Sequence, residues 1–358
     1  MLRSGQAEEA FGGFGDLSMS FGWTASGGDA GREGGGAAAL DWQPERRLRL
    51  SASRSRSLSV VSDQQRFEPT YFGTPVRVYD FITGEAVEVS PVLGGNPDLR
   101  SPELDQQTFS LSAGPFTRWR LQGGMTYQKT RGAAEIGAFP GPMPELEAAF
   151  PQRFMRGPDG RLVSVDQRQF SIDTSVVEVL TTNFSLRAPL GGGGSRAVSQ
   201  KAIRLSLNHS LQLRNETSLH ASLPHMDRLA GDGGGQPRQQ FSLLVDLAGG
   251  AWDANAAVRR GSVYRLRRVS GKDGADDLVV SALVVADLRF RLQLARTAST
   301  GGGGGRRGSG LELELEISNL FDARPSARLA DGRRVAGYGR DEQDPVGRTL
   351  RIGMRQRF

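Results

Sequence analysis

The side chains that could do chemistry in this sequence are few, and their spacing argues against catalysis. There is no cysteine, and the histidines are His209, His220 and His225. His209 falls on the apolar side of an alternating segment, and the other two fall in a predicted loop. No Gly-x-Ser-x-Gly turn stands between a strand and a helix, as a hydrolase nucleophile requires. We therefore predict no enzymatic activity, no cofactor and no bound metal.

Charged side chains at every second position are the stronger signal near the C-terminus. Neighbouring antiparallel strands would bring two such sets together on one face. The pairs would either stabilise the wall of a sheet, or line a charged lumen that packs against a plug or guides a polar substrate. The predicted charge pairs join Glu312, Glu314 and Glu316 to Arg351, Arg355 and Arg357.

The elements that position these charges are β-strands, because apolar residues recur at every second position. In residues 311–318, Leu and Ile alternate with Glu and Ser, and only a strand gathers them on one face. Mixed parity in 170–188 indicates a β-bulge there. About twelve strands are predicted, near 16–26, 36–42, 46–60, 105–114, 118–130, 170–188, 199–213, 238–248, 252–263, 278–297, 311–321 and 347–358.

The connections between these strands alternate between short and long. Tight turns at 43–45, 114–116 and 248–251 and Gly-rich linkers at 191–194 and 301–305 form the short set. The long set consists of structureless loops at 61–104, 131–169, 214–237, 264–277 and 322–346, after a shorter one at 27–35. This wiring predicts an antiparallel transmembrane β-barrel with long extracellular loops and short periplasmic turns. The alternation by itself would also suit a soluble all-β sandwich.

Three tryptophans lie within a few residues of the tight turns. Trp42, Trp119 and Trp252 would therefore form an aromatic girdle at one membrane interface. The alternative is that they are ordinary core residues.

The overall composition removes further classes of protein. The 358 residues carry a net charge of +6, and the sequence pI is about 10.1. The arginines are spread along the chain instead of clustering, so we predict no nucleic-acid partner. No apolar run approaches the roughly 20 residues of a spanning helix. Residues 1–15 lack the apolar core of a secretory signal, and we expect that the true N-terminus is missing.

Two sets of motifs resemble TonB-dependent outer-membrane receptors. The C-terminal set is Ile317-Ser-Asn-Leu-Phe-Asp322, Gly337-Tyr338, and Asp344-Pro-Val-Gly-Arg followed by the last strand and the terminal Phe358. The other is Gly94-Gly-Asn-Pro-Asp-Leu-Arg100, followed by Glu103. The resemblance implies that residues 1–358 are the C-terminal portion of a barrel of about 22 strands, without signal, TonB-contacting segment or plug.

The resemblance also implies a function and a location. The intact protein would take up a scarce nutrient such as a ferric siderophore across the outer membrane of a Gram-negative bacterium. TonB would act only through the missing N-terminal part, and the sequence does not identify the ligand. The rival functions are a self-contained passive pore, in which residues 17–21 pair with the last strand, and a soluble all-β binding protein.

The resemblance suggests contacts with the membrane and its machinery as well. The terminal Phe358 and the residues on its face resemble the signal that the outer-membrane assembly machinery recognises; they are Leu350, Ile352 and Met354. Arg54 and Arg56 occupy alternate positions that would point to the apolar face, near the predicted extracellular end of their strand. Outer-membrane lipid is the expected surrounding, and these two arginines could meet lipopolysaccharide phosphates.

Overall fold

The structure is a computed structural model that describes residues 7–11, 15–28, 31–117, 119–189, 201–296, 310–338, 342 and 346–357. Strands dominate it. The strands are β1 (Ala7–Phe11), β2 (Gly15–Gly28), β3 (Gly31–Glu45), β4 (Leu48–Leu58), β5 (Tyr71–Phe72), β6 (Val76–Asp80), β7 (Glu85–Leu93), β8 (Glu103–Phe116), β9 (Leu121–Gly137), β10 (Phe154–Arg156), β11 (Leu162–Asp166), β12 (Phe170–Pro189), β13 (Ala202–Ser218), β14 (Met226–Asp227), β15 (Gln239–Ala248), β16 (Trp252–Gly261), β17 (Tyr264–Leu266), β18 (Leu278–Val280), β19 (Leu283–Arg296), β20 (Gly310–Ser318), β21 (Ala327–Leu329) and β22 (Thr349–Arg357). The helices are α1 (Asp63–Phe67), α2 (Pro144–Ala149) and two 3-10 turns, Pro151–Arg153 and Asp232–Gly234.

One large antiparallel sheet, here called the wall, contains fourteen of the described strands. Its order is β1-β2-β3-β4-β8-β9-β12-β13-β15-β16-β19-β20-β22, and the short strand β14 pairs with β13. Each long strand thus pairs with the next long strand of the chain. Such a meander needs only hairpin connections, which alternate between the two ends of the strands.

The wall confirms the predicted strands, and the differences have local causes. Each of the twelve predicted strands corresponds to one strand of the wall, and the register shift between Glu178 and Val179 confirms the predicted bulge. The predicted loop at 27–35 is wrong, because β2 extends to Gly28 and β3 begins at Gly31. The glycines of this segment have no side chains, so the sequence shows no alternation of apolar and polar residues there. The predicted strand 278–297 is interrupted, because Leu278–Val280 joins a separate small sheet.

The two faces of the wall differ in polarity, and the apolar face is uncovered. In the register, Leu315 stands between Phe290 and Ile352, so apolar side chains of neighbouring strands share one face. Ile352 is 75 % exposed and Phe290 is 39 % exposed. A soluble sandwich would bury these side chains against a second layer, and no such layer covers them within the described ranges.

The buried apolar core lies in the long connections instead of beneath the wall. Its members are Val89, Phe139, Leu146, Phe154, Leu162, Val165 and Phe170. They belong mainly to a five-stranded sheet in the order β10-β11-β7-β5, with β6 paired to β7, and to neighbouring residues. A three-stranded sheet, β17-β18-β21, forms in the last two connections. The prediction of structureless loops was therefore wrong. No described helix has the length and apolarity needed to span a bilayer.

One predicted pairing is also wrong. The passive-pore alternative required residues 17–21 to pair with the last strand. In the structure, Leu17 and Met19 pair with β1 on one side and β3 on the other. Both hydrogen-bonding edges of residues 17–19 are therefore occupied by other strands.

Candidate functional site

The predicted acidic row lies on the polar face of β20, between β19 and β22. Glu316 stands opposite Arg351, and Glu312 opposite Arg355. The Arg351 guanidinium approaches Glu316 to 3.9 Å. Among the described side chains, no ion pair joins Glu312 to Arg355, and the side chain of Arg357 lies outside the described residues. Arg351 and Arg355 thus share a face with the acids, and of these two described side chains Arg351 alone forms an ion pair with the acidic row, a long one.

Arg289 of β19 is the main partner of the acidic row. Its Nη2 atom donates to Glu316 over 2.9 Å, and its Nε atom lies 3.3 Å from Glu314. The next arginine of the strand, Arg291, pairs with Asp253 of β16 over 3.0 Å. The sequence contained this signal, because both arginines occupy the polar parity of a predicted strand. The expected pairing considered only the following strand, whereas each inner strand has two neighbours.

The polar face of the wall is divided into two sectors. From β2 to β13, the side chains on this face are mostly small hydroxyls and amides; β4, for example, carries Ser51, Ser53, Ser55 and Ser57. From β16 to β22, charged side chains are more frequent, including the Arg259–Asp287 pair at 2.7 Å. The charges of this second sector are largely balanced by one another.

A cavity of about 470 Å³ lies where these sectors meet, at the long-connection end. Wall residues contribute amides, hydroxyls and one guanidinium from the polar face, among them Asn208, Ser242 and Arg259. Tyr264, Val280 and Pro325 line it from the connections. A concave site that combines an apolar surface with a few convergent polar groups suits a small ligand.

The connection beside this cavity is held in shape by a buried carboxylate. Asp277 is 1 % exposed and accepts hydrogen bonds from the backbone N–H groups of Gly274 at 2.9 Å and Arg268 at 3.0 Å. These donors stabilise the ionised form and lower the pKa of Asp277. The connection from β16 to β19 therefore has a defined shape next to the cavity.

The two motifs that carry the family resemblance fix the backbone where long connections meet the wall. At the end of β20, Asn319 and Asp322 adopt left-handed backbone angles, φ 52° and φ 51°, which Asn and Asp tolerate. The Asn319 amide donates to the Ala323 carbonyl and accepts from the Ala323 N–H, both over 2.8 Å. In the other motif, buried Asn96 donates to the Gln169 carbonyl over 2.7 Å. The motifs thus fix where two long connections leave the wall.

The predicted girdle tryptophans all lie at the short-turn end. Trp42 precedes the β3–β4 turn, Trp119 lies in the β8–β9 turn, and Trp252 begins β16. They are 37 %, 49 % and 37 % exposed, respectively. Trp252 stacks on Phe290 with ring centroids 6.1 Å apart. Trp23 is 78 % exposed and lies further along β2.

The predicted assembly residues form an exposed apolar row on β22. Leu350, Ile352 and Met354 stand opposite Ile317, Leu315 and Leu313 in the register. Phe358 lies outside the described residues.

The arginines predicted to meet lipopolysaccharide carry carboxylate partners. Arg54 pairs with Asp105 over 2.5 Å, and Arg56 pairs with Glu103 over 2.5 Å. Both pairs lie on the apolar face. Each arginine thus has its charge balanced before any phosphate approaches.

His209 and His220 have different surroundings. His209 stacks on Phe241 at 4.2 Å on the apolar face, and His220 contacts Phe150 and Ser222 in a connection. Across the described part of the chain, no three metal-binding side chains form a group.

The architecture now defines the class of fold. It is the antiparallel strand wall of a β-barrel fold, as predicted, because solved structures of siderophore receptors superpose on almost all of this chain. No family model and no curated protein matches the sequence.

The similar structures are receptors for siderophores. A mutant ferric enterobactin receptor, PfeA of Pseudomonas aeruginosa, in complex with enterobactin has a TM-score of 0.58 at 16 % identity and covers 96 % of this chain. A second PfeA mutant has a TM-score of 0.58 at 17 % identity and covers 98 %. The siderophore receptor PirA of Acinetobacter baumannii has a TM-score of 0.55 at 10 % identity and covers 94 %. In each case the chain spans 43 % of the receptor's length.

Proposed function

We propose that this chain is part of the barrel of a TonB-dependent receptor that takes up a ferric siderophore across the outer membrane. The observation that carries the proposal is the superposition of 94–98 % of the chain on siderophore receptors. The two motifs at Asn319 and Asn96 support it independently, since they carry the family resemblance at the sequence level. TonB would act through a part of the receptor outside this chain.

The cavity at the junction of the two sectors is the proposed site of ligand capture. Arg259 donates one N–H to Asp287 over 2.7 Å and keeps further guanidinium N–H donors for a ligand, and Asn208, Ser242 and Tyr264 supply other hydrogen-bonding groups. Iron chelates built from ionised oxygen donors carry negative charge, which a guanidinium attracts. The adjacent connections have their own hydrogen-bonded sheets, so the capturing surface is rigid before the ligand arrives.

The apolar face would contact outer-membrane lipid, with the tryptophans at the periplasmic interface. The register partner of Trp42 on the next strand, followed in the same way over seven strands, is Arg260 of β16. Arg260 lies eight residues beyond Trp252 along that strand. Seven strand spacings measure about 34 Å across the wall, and eight residues measure about 26 Å along a strand. Trp42 and Trp252 therefore lie at the same height in the membrane when the strands tilt by about 38° from the membrane normal. Barrel strands tilt by roughly 35–45°, which supports the girdle.

Lipopolysaccharide and phospholipid are the proposed surroundings of this face, and the assembly machinery is the proposed partner of the Phe358 row. The charged rows of the polar face, including Glu314 and Arg351, would line the lumen. Their balanced pairing favours a wall-stabilising role over a role in guiding the substrate.

A binding assay on whole cells tests the proposed function, with ferric enterobactin as the probe and a panel of other ferric siderophores beside it. The variant Arg259→Gln removes the cavity guanidinium and should weaken binding about tenfold, which corresponds to about 1.4 kcal/mol. Arg49→Gln is the matched control, because Arg49 also pairs with an aspartate, Asp41, over 2.8 Å, but near the short turns. Absence of binding to every member of the panel, or equal binding by both variants, would contradict the proposal.

A further inference from the structure

The apolar face of the wall carries an unexpected group of charges, here called the ionic patch. It lies on five neighbouring strands, β4, β8, β9, β12 and β13, and its members are Arg54, Arg56, Glu103, Asp105, Lys129, Arg131, Glu178, Arg214 and Glu216. The same face of β19, β20 and β22 carries no charged side chain among the described residues and is apolar except at Gln356, as in Leu311, Leu313, Leu315 and Ile317. The two regions of one face therefore have different environments.

The level of the patch within the membrane follows from the strand tilt given above. With Trp42 as the reference, Arg54 lies about 13 Å, Lys129 about 19 Å and Glu178 about 22 Å above the girdle. The lipid-facing apolar band of a barrel is about 25 Å tall. Ile352 and Leu288, at about 14 and 13 Å by the same geometry, are apolar as expected. Most of the patch thus lies at a depth where lipid tails would surround it.

Charges at this depth need a polar neighbour, because hydrocarbon does not solvate them. Lipopolysaccharide phosphates would need free cations, yet Arg54, Arg56 and Lys129 already pair with Asp105, Glu103 and Glu178 at 2.5, 2.5 and 3.0 Å. The arginine side chains nevertheless remain 61 % and 65 % exposed. A patch whose cations exceed its anions by one, with exposed groups of both signs, suits a protein surface of alternating charge.

The order of the charges identifies the partner. Along the sheet, β4 carries two cations, β8 two anions, β9 two cations and β12 one anion, and β13 follows with one cation and one anion that pair with each other over 2.6 Å. Two identical barrels with the same orientation in a membrane are related by a two-fold axis along the membrane normal. An axis between β8 and β9 would place β8 of one copy against β9 of the other, and β4 against β12. Both of these facing pairs of strands then have opposite charge.

We propose that the ionic patch is the interface of a homodimer within the outer membrane, formed by a second copy of this chain about this two-fold axis. Arg131, which has no ion pair among the described residues, would meet Asp105 of the other copy at a similar level. The inference rests on the membrane location given under the proposed function, but not on the ligand or on transport.

Cysteine cross-linking in the native outer membrane tests the interface, because the chain has no cysteine of its own. Gln107→Cys places a thiol beside the proposed axis, on the same face as Lys129. Leu288→Cys is the matched control on the uncharged region, at nearly the same depth. Gln107→Cys should yield at least tenfold more disulfide-linked dimer than Leu288→Cys. Equal yields would overturn the proposal.

Charge exchange separates a specific interface from damage to the fold. In the Gln107→Cys background, one variant carries Glu103→Lys with Asp105→Lys, and the other carries Lys129→Glu with Arg131→Glu. Each variant alone should lose dimer about tenfold, because facing strands then repel. Co-expression of the two should restore mixed dimer, since β8 of one again opposes β9 of the other. Failure to restore it would overturn the interface.

Two further readouts identify the competing explanations. If Arg54→Ala with Arg56→Ala releases co-purified lipopolysaccharide while the wild-type chain is monomeric, the patch is a lipid site and the homodimer is wrong. If the chain is absent from the outer-membrane fraction, the proposed function fails together with the dimer. A monomer in the membrane that still binds a ferric siderophore overturns the dimer alone.

Discussion

Arg156 holds Asp80 across two different connections of the wall. The Arg156 Nη1 and Nη2 atoms donate to the two Asp80 oxygens over 2.8 and 3.0 Å, and Asp80 is 1 % exposed. The same guanidinium donates to both oxygens of Glu147 over 2.7 and 2.8 Å. It thereby joins the hairpin of β6 and β7 to β10 and α2, so the two long connections behave as one unit.

Removal of this guanidinium should loosen both connections. In Arg156→Met, Asp80 would be a buried charge without its partner, and we expect the free energy of local opening to fall by about 3 kcal/mol. Hydrogen exchange in 76–93 and 154–166 measures it. Arg161→Gln is the control, because the Arg161–Glu85 pair is exposed and should contribute less than about 1 kcal/mol. Equal effects of the two variants would contradict the clamp.

The same pair gives the loops an acid sensitivity. Arg156 lowers the pKa of Asp80 well below its usual value. A lowered pKa means that Asp80 stabilises the folded connections above about pH 4 and loses this contribution as the pH falls towards its folded value. Protease resistance of the connections should therefore fall on acidification below about pH 4. In Asp80→Asn this acid-dependent loss should be reduced; an unchanged acid profile would show that Asp80 is not responsible.

Depth-dependent quenching of tryptophan fluorescence by brominated lipids tests the membrane levels. Single-tryptophan variants that keep Trp42 or Trp252 should be quenched best by bromine near the headgroups. Trp23 lies about 13 Å above that level, so a variant that keeps only Trp23 should be quenched best by bromine near the bilayer centre. One common depth for all three would show that the strand tilt and the girdle are wrong.

Deletion of Phe358 should lower the amount of chain inserted in the outer membrane several-fold. The reason is that the assembly signal would lose its terminal aromatic group while the Ile352 row remains. Heat-modifiable mobility of outer-membrane fractions measures insertion. Phe81→Ala, in an exposed connection, is the matched loss of one phenyl ring and should insert normally. Equal insertion of both variants would leave no role for the terminal residue.

The wall could be predicted from the sequence because its determinants are local. Alternation at every second position marks each strand, and Leu313 or Ile352 shows its face by parity alone. The order of the strands follows from a meander, in which each strand pairs with its chain neighbour.

The loop sheets could not be predicted because their pairings are not local. Strand β11 pairs in parallel with β7, so Ser164 stands opposite Ser90. Three-residue strands such as β10 carry no readable period, and the Asp80–Arg156 clamp joins residues 76 positions apart. The partner of the acidic row was missed for a simpler reason: Arg289 approaches Glu316 from the strand before it rather than the strand after it.

The account depends most on the orientation of the two faces of the wall, and cysteine accessibility along β20 measures it directly. Six variants each carry one cysteine, in place of Glu312, Glu314, Glu316, Leu313, Leu315 or Ile317. Fragments of native outer membrane, in which both sides are accessible, are treated with a membrane-impermeant maleimide. We predict rapid labelling at the glutamate positions and protection at the aliphatic positions, with a strict alternation. Uniform labelling, or faster labelling of the aliphatic positions, would contradict the barrel wall and everything inferred from it.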